Sequence, residues 1–145
     1  MSAPASVATP VPHLIDSSVW IPVLRRNHPT GPALRARVAQ VQGSGVAFTT
    51  EPVRFELLRG ARDDANYERL AGVLGALPVL PVAAERWQEA GELAYRLLRR
   101  HGMQFPANDL LIACVAMAHG AKLVHRDRDF DLIARHAAVT VESHV

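Results

Sequence analysis

Five short apolar runs, each too brief to make a helix, alternate along this chain with longer segments of helical pattern. The runs are His13 to Ile15, Val46 to Thr49, Val79 to Val82, Lys122 to His125 and Val139 to Val141. Strands separated by helices cannot be joined by tight hairpins, so the alternation demands a mainly parallel sheet with helices on both faces. The predicted fold class is therefore α/β, a three-layer α/β/α sandwich. Pro81 lacks an amide donor and confines the Val79 to Val82 run to an edge.

The intervening segments carry helix signals. Ser17 or Ser18 can cap a first helix whose apolar side holds Val19, Trp20, Val23 and Leu24, with Pro22 expected to distort it. Trp20, Val23 and Leu24 read as core, or as apolar surface left for a partner helix. Pro32 suits the start of a second helix bearing Leu34, Val38 and Val41, and Gly43 can end it. Pro52 opens a third, with Val53, Leu57 and Ala61 on one face. Asp63 or Asp64 can cap a fourth, in which Tyr67, Leu70, Leu74 and Leu77 recur at helical spacing. Ala83 to Arg100 is the most amphipathic segment, with Trp87, Ala90, Ala94 and Leu97 on one face. Asn108 to His119, stopped by Gly120, and Phe130 to His136 complete the set.

A chain of 145 residues suits one domain, and no internal repeat or linker divides it. Residues 13–145 are read as that domain. Residues 1–12, uncharged and rich in Ala, Pro, Ser and Val, are read as a flexible tail without the basic start and long apolar run of a signal peptide. No segment approaches the ~20 apolar residues of a membrane span. The single cysteine, Cys114, excludes an intrachain disulfide and suits a reducing cytoplasm. Lys122 is the only lysine among 16 basic residues, and the rest are arginine. Codon usage in a GC-rich genome explains that bias, and a formal net charge of +2 does not by itself imply nucleic acid.

The acidic residues are more telling. Ligands of open α/β sheets bind beyond the carboxyl ends of the strands. Asp16 directly follows the first strand, Asp127 follows Leu123-Val124-His125, Glu56 lies early in the helix after the second strand, and Asp109 lies in the first turn of the Asn108 helix. Taken singly, each has an ordinary structural explanation as a turn residue, a helix cap or a solvated side chain. Taken together, parallel neighbouring strands bring all four to one end of the sheet. Carboxylates gathered there repel and raise one another's pKa unless a cation relieves them. Mg²⁺, or Mn²⁺, takes oxygen ligands and needs only a few carboxylates. Zinc is disfavoured, because no Cys/His pair has ligand spacing and the seven histidines are scattered.

These residues also form a familiar series. Leu14-Ile15-Asp16-Ser17-Ser18-Val19-Trp20 resembles the opening of PIN-domain toxins of the VapC type. Phe55-Glu56-Leu57-Leu58-Arg59-Gly60 resembles their Glu-Leu-x-x-Gly helix. Asn108-Asp109-Leu110-Leu111-Ile112-Ala113 is similar to the helix bearing their third acid, and Val124-His125-Arg126-Asp127-Arg128-Asp129-Phe130 to their last strand and Asp-x-Asp-Phe turn. His125 stands where many relatives carry Thr or Ser, and Ser17 where Thr is frequent, but neither departure removes a carboxylate.

The resemblance implies a magnesium-dependent endoribonuclease toxin. Metal-activated water would attack phosphorus in line, with no 2′-hydroxyl nucleophile and no catalytic His. It casts Asp16, Asp109 and Asp127 as metal ligands and Glu56 as a ligand or water-orienting group. Ser17 and Asn108 would support them, and Asp129 would be an accessory acid or a cap for the Phe130 helix. Asp131 is expected to be solvated. Arg126 and Arg128 are weak candidates for holding phosphate. The implied partners are an RNA substrate, a cognate VapB-type antitoxin and a second copy of the chain in a homodimer or hetero-oligomer.

A phospho-receiver domain would need a lysine after a late strand, whereas Lys122 precedes its strand. A haloacid-dehalogenase-like phosphatase would need Asp-x-Asp where this chain has Asp16-Ser17-Ser18. The remaining alternative is a non-catalytic PIN-like module that binds RNA or protein.

Overall fold

The structure, a computed structural model, describes residues 9–145. Residues 1–8 of the expected tail lie outside the described part. Pro12, also assigned to the tail from sequence, is already tied down: its carbonyl accepts from the Lys122 N–H at 2.8 Å.

Four parallel strands make the sheet, in the order β2-β1-β3-β4: β1 His13–Ile15, β2 Ala47–Phe48, β3 Lys122–His125 and β4 Thr140–Ser143. Leu14 and Ile15 are fully buried, as expected for a central strand covered on both faces. The run at Val79 does not become a strand. It contributes one parallel bridge, Thr49 to Val79, held by Thr49 N–H to Pro78 C=O and Leu80 N–H to Thr49 C=O. Pro81 follows at once and has no donor with which to extend the ladder.

Among the described residues seven helices surround the sheet. α1, Ser17–Leu24, begins directly at the end of β1, and its cap is Asp16 rather than Ser17 or Ser18. Asp16 is extended and its carboxylate takes the Ser18 N–H, which leaves both serines inside the first turn. The helix runs through Pro22 and stops two residues later. α2, Gly31–Gly43, starts on Pro32 as expected, but Gly43 stays helical and the left-handed exit falls on Gly45, at φ 71. α3, Glu51–Arg59, and α4, Asp64–Gly75, follow, the latter capped by Asp63.

α5, Ala84–His101, ends on Gly102, whose φ of 64 favours glycine. Its buried line is Ala90, Leu93 and Leu97. Trp87, expected on that face, is 60% exposed. Traced back from Ala90, Leu93 and Leu97, the inward stripe meets the first turn at the half-buried Arg86 and leaves Trp87 to one side. α6, Ala107–Ala118, is buried without a break from Asp109 to Ala116 and packs against α5, α3, α7 and β3. α7, Arg128–Ala134, is short and leads to β4. Trp20 is 2% exposed and belongs to the core, so it offers no surface to a partner. Among the described residues no helix is long and apolar enough to cross a membrane.

The strand order positions everything that follows. The chain leaves β1 for β2 on one side and returns to β3 on the other. Helices therefore depart in opposite senses and open a crevice at the carboxyl ends of β1 and β3.

One polar tie crosses this frame. Arg37 of α2 grips Glu142 of β4 with two hydrogen bonds, 3.0 and 2.6 Å, and His144 lies 2.8 Å from the same carboxylate. These contacts, led by the Arg37 hydrogen bonds, hold Glu142 down at about 2 against a usual 4.5. A depressed carboxylate stabilises the fold above its unfolded pKa and loses that contribution as pH falls through the folded value. Arg37→Met is therefore expected to cost roughly 1–2 kcal/mol near neutrality, a modest figure because the pair is partly solvated. Urea titrations between pH 6 and about 2 check it, since the wild-type advantage should fade below about pH 4.5.

Candidate active site

Asp16 and Asp127 follow β1 and β3, the central pair of the sheet, and each caps the helix that begins there. Asp16 is 3% exposed. Its Oδ2 accepts from the Ser18 N–H at 3.0 Å and the Ser18 hydroxyl at 2.6 Å. The same hydroxyl accepts from the Arg126 N–H at 2.9 Å and so ties the turn after β3 to the carboxylate after β1. Asp16 Oδ1 is buried and has no hydrogen-bond partner among the described residues. Burial is the first cause lifting Asp16 to about 6 from a usual 3.8. The Ser18 bonds oppose it and the charge of Glu56 adds to it.

Asp127 Oδ1 accepts from the Asp129 N–H at 2.9 Å. Its own N–H donates to Nδ1 of His125 at 3.1 Å, which makes the neutral ring the Nε2–H tautomer. That Nε2 lies 3.1 Å from Asp131 Oδ1 but is poorly aligned for a hydrogen bond. Burial outweighs the nearby carboxylates and keeps the His125 pKa below the usual value. Asp131, expected to be solvated, faces His125 with one oxygen and accepts from the Ser143 hydroxyl with the other.

Asp109, in the first turn of α6, is 8% exposed. It is pushed up to about 7, first by burial and then by the charges of Asp16, Glu56, Asp127 and Asp129. Burial, aided by Asp127, also raises Asp129. Carboxylate oxygens of Asp109, Asp127 and Asp129 lie within 4.8 Å of one another. Asp129, read from sequence as accessory, thus stands inside the tightest group, while the cap of α7 is Asp127. Asp16 lies outside that trio and is coupled to it through the charge it exerts on Asp109.

Glu56 is held from two sides. Its Oε1 accepts from the Asn108 amide at 2.6 Å, and its Oε2 from the Ser17 hydroxyl at a long 3.4 Å. Asn108 also donates to the Pro52 carbonyl at 3.1 Å, clamping the start of α6 to the first turn of α3. Arg126 and Arg128 are exposed beside Asp127.

Sequence reasoning treated Ser18 only as a helix cap and gave the His125–Asp131–Ser143 chain no part. Ser18, two residues after Asp16, sits where a hydroxyl can turn back onto an aspartate. The His125 chain has no comparable local signal.

The donor set is all oxygen and net acidic. Two of its carboxylic acids are lifted, Asp16 to about 6 and Asp109 to about 7, and one buried oxygen lacks a partner among the described residues. These properties fit a hard divalent cation, which supplies the missing ligand and lets the acids ionise.

Comparison with known proteins is consistent across sequence and structure. The PIN domain family model matches residues 13–136. The chain is 37% identical over 123 residues to a curated "VapC ribonuclease Mb1587" of Mycobacterium bovis, covering 84% of this chain and 91% of that one. The match to "Ribonuclease VapC11" of Mycobacterium tuberculosis has the same identity and coverage. Among solved structures, VapBC2 from Rickettsia felis bound to a promoter DNA fragment superposes with a TM-score of 0.74 at 22% identity, covering 90% of this chain and 97% of that one. DNA-bound VapBC from Salmonella typhimurium gives 0.73 at 22%, covering 92% and 98%.

The raised carboxylates set a pH dependence. Without metal the native state keeps protons that the unfolded chain has released, so ionising Asp16 and Asp109 costs stability as pH rises through about 6 and 7. In EDTA the protein should be more stable at about pH 5 than at about pH 8. Asp109→Asn should gain roughly 1–3 kcal/mol at the higher pH and flatten the difference. Mg²⁺ should raise the wild-type melting temperature far more than NaCl of equal ionic strength, an effect Asp109→Asn should blunt. Calorimetry across pH, with and without metal, reads both.

Proposed function

We infer that this chain, which belongs to the PIN-domain family and within it to the VapC ribonucleases, is a metal-dependent endoribonuclease toxin that cuts RNA phosphodiester bonds by attack of water. The observation carrying this reading is the crowding of Asp109, Asp127 and Asp129, with the buried Asp16 coupled to them, at the carboxyl ends of β1 and β3. Such a group is costly in an apo protein and is explained by a cation it is built to hold.

In this reading Asp16, Asp109 and Asp127 hold Mg²⁺ or Mn²⁺, with Asp129 as a further oxygen donor. The cation, when bound, supplies Lewis acidity toward the phosphodiester and its attacking water. Glu56 holds metal or orients that water, and the hydrogen bonds from Asn108 and Ser17 keep its carboxylate from rotating away. Ser18 does the same for Asp16 and keeps the β3–α7 turn at the right distance from it. Arg126 and Arg128, exposed beside Asp127, take substrate phosphate. His125 sets the Asp127 backbone through Nδ1 and takes no part in proton transfer.

A further solved structure of the same fold, VapBC-5 from Mycobacterium tuberculosis, is of a member of the VapBC family of toxin-antitoxin systems. We extend that arrangement to this chain, as a homodimer or hetero-oligomer in the cytoplasm with a small VapB-type protein. A partner arginine can pair bidentately with Asp16, Glu56, Asp109 or Asp127 and displace metal and phosphate together.

Purified protein should cut RNA with Mg²⁺ or Mn²⁺ and stop in EDTA. Asp16→Asn and Asp109→Asn should each lower the rate by 100-fold or more, on the order expected for losing a charged catalytic group, while circular dichroism stays unchanged. Full cleavage in EDTA would sink the metal reading. Expression alone should arrest bacterial growth, and co-expression of the small protein encoded beside it should restore growth and co-purify. Sequencing of RNA 5′ ends after induction, against Asp16→Asn, maps the cuts.

A further inference from the structure

Beside the acid cluster lies an open cleft of about 560 Å³, walled by the C-terminal end of α1 and by the facing sides of α3 and α4. Four arginines line it: Arg25 and Arg26 just after α1, Arg62 between α3 and α4, and Arg69 on α4. The one acid in its lining is Glu56, the same carboxylate that Asn108 and Ser17 hold in the active site. Four guanidiniums against one carboxylate make a local excess that a chain of net charge +2 does not show as a whole.

All four arginines are exposed, and among the described residues none of them is in an ion pair. The arginine pairs found there belong to Arg37, Arg54 and Arg86. Arg69 donates one Nη to the Leu24 carbonyl at 3.2 Å, which anchors its guanidinium across the cleft to the end of α1. The floor between them is apolar, with Ile21 left 42% exposed and Leu24 beside it. Unpaired guanidiniums over an apolar floor match a polymer that carries one negative charge per unit along a backbone with flat, weakly polar bases. α1 itself is the ruler. It begins at Asp16 and ends eight residues later beside Arg25, about 12 Å away.

We propose that this cleft carries the RNA strand as it leaves the cleavage site, with Arg25, Arg26, Arg62 and Arg69 taking successive phosphates. The inference rests on the ribonuclease reading above and adds to it the path of the substrate. It places the strand on the Glu56 side of the site, away from Arg126 and Arg128, which lie beside Asp127. The acid cluster repels a polyanion wherever metal does not neutralise it, so binding strength must come from outside the cluster, and the cleft gathers four exposed arginines free of ion pairs among the described residues. These arginines are positioning residues and touch no reacting atom.

The test is fluorescence anisotropy of a labelled single-stranded RNA on the full chain carrying Asp16→Asn, repeated over a salt series. Each lost phosphate contact lowers the slope of log affinity against log salt by about 0.7 for a single strand. Arg62→Gln with Arg69→Gln should lower it by about 1.4 and weaken binding about tenfold or more at low salt. Arg62→Lys with Arg69→Lys should recover most of the slope, because the charge returns. Arg25→Gln with Arg26→Gln, in the exposed segment after α1, should reproduce the loss if the first pair disturbs folding. Arg99→Gln with Arg100→Gln, at the end of α5 and outside the cleft, removes the same charge and should leave the slope unchanged.

An unchanged slope in both cleft pairs, or an equal fall in the α5 pair, overturns the proposal. So does loss of binding to the co-purifying small protein with RNA affinity intact, which would make the cleft a protein site. Cleavage by the wild-type chain with Mn²⁺ is scored separately. If wild type cuts RNA while the cleft pairs keep their slope, the cleft assignment fails alone. If wild type neither binds nor cuts RNA, the ribonuclease reading fails and takes the cleft with it.

Discussion

Like-charge crowding at the ends of β1 and β3 is the constraint around which this protein is organised. A parallel pair of neighbouring strands brings Asp16 and Asp127 to the same edge, and α6 adds Asp109 from the side. No lysine or arginine pairs with any of these acids among the described residues, and the two most buried are lifted, Asp16 to about 6 and Asp109 to about 7. The fold carries that cost in its core. α6 is buried from Asp109 to Ala116, and β1 contributes two residues with no exposure at all. A site that destabilises the apo protein needs a frame stable enough to hold it, and this is a common relation between function and stability.

The geometry of the acids is kept by neutral groups. Ser18 bonds Asp16 and the backbone after β3 at once, Asn108 bonds Glu56 and the start of α3, and His125 holds the Asp127 backbone from beneath. A hydroxyl, an amide and a neutral imidazole fix carboxylates without cancelling their charge, whereas a lysine or arginine would fix them and occupy the place of a cation. The separation is spatial as well as chemical. Among the described residues no arginine forms an ion pair with these acids, and four arginines gather in the cleft beside Glu56. Acid cluster and arginine cleft form two neighbouring fields of opposite sign, suited to a cation on one side and a polyanion on the other.

Much of this was legible in the order of residues. β1, β3, the start of α2 on Pro32, the end of α5 on Gly102 and the stop of α6 before Gly120 follow from local chemistry, because ring constraints, left-handed glycines and apolar runs act within a few residues. The errors share a cause. Ser17 and Ser18 suit a cap of α1, but Asp16, extended directly after β1 and accepting the Ser18 N–H, takes the position. Helical spacing puts Trp87 on the buried face of α5, but the buried stripe meets the first turn at Arg86 and leaves the ring exposed. The Val79 run lost its strand to Pro81 and kept one bridge.

What the sequence alone determined is the inventory: which acids follow which strands, and that strands alternate with helices, because a period of two or 3.6 residues and a cap are written in neighbouring positions. Tertiary structure decided who meets whom. Asp129 joins Asp109 and Asp127 only because α6 runs up to the turn after β3. Asp131, still partly exposed, joins His125 to Ser143 only because β4 packs beside α7. Arg25, Arg26, Arg62 and Arg69 share a cleft only because α1 and α4 pack on either side of α3. Each meeting joins residues from separate elements, and charge and hydrogen bonding act through space over a few ångströms whatever the separation along the chain.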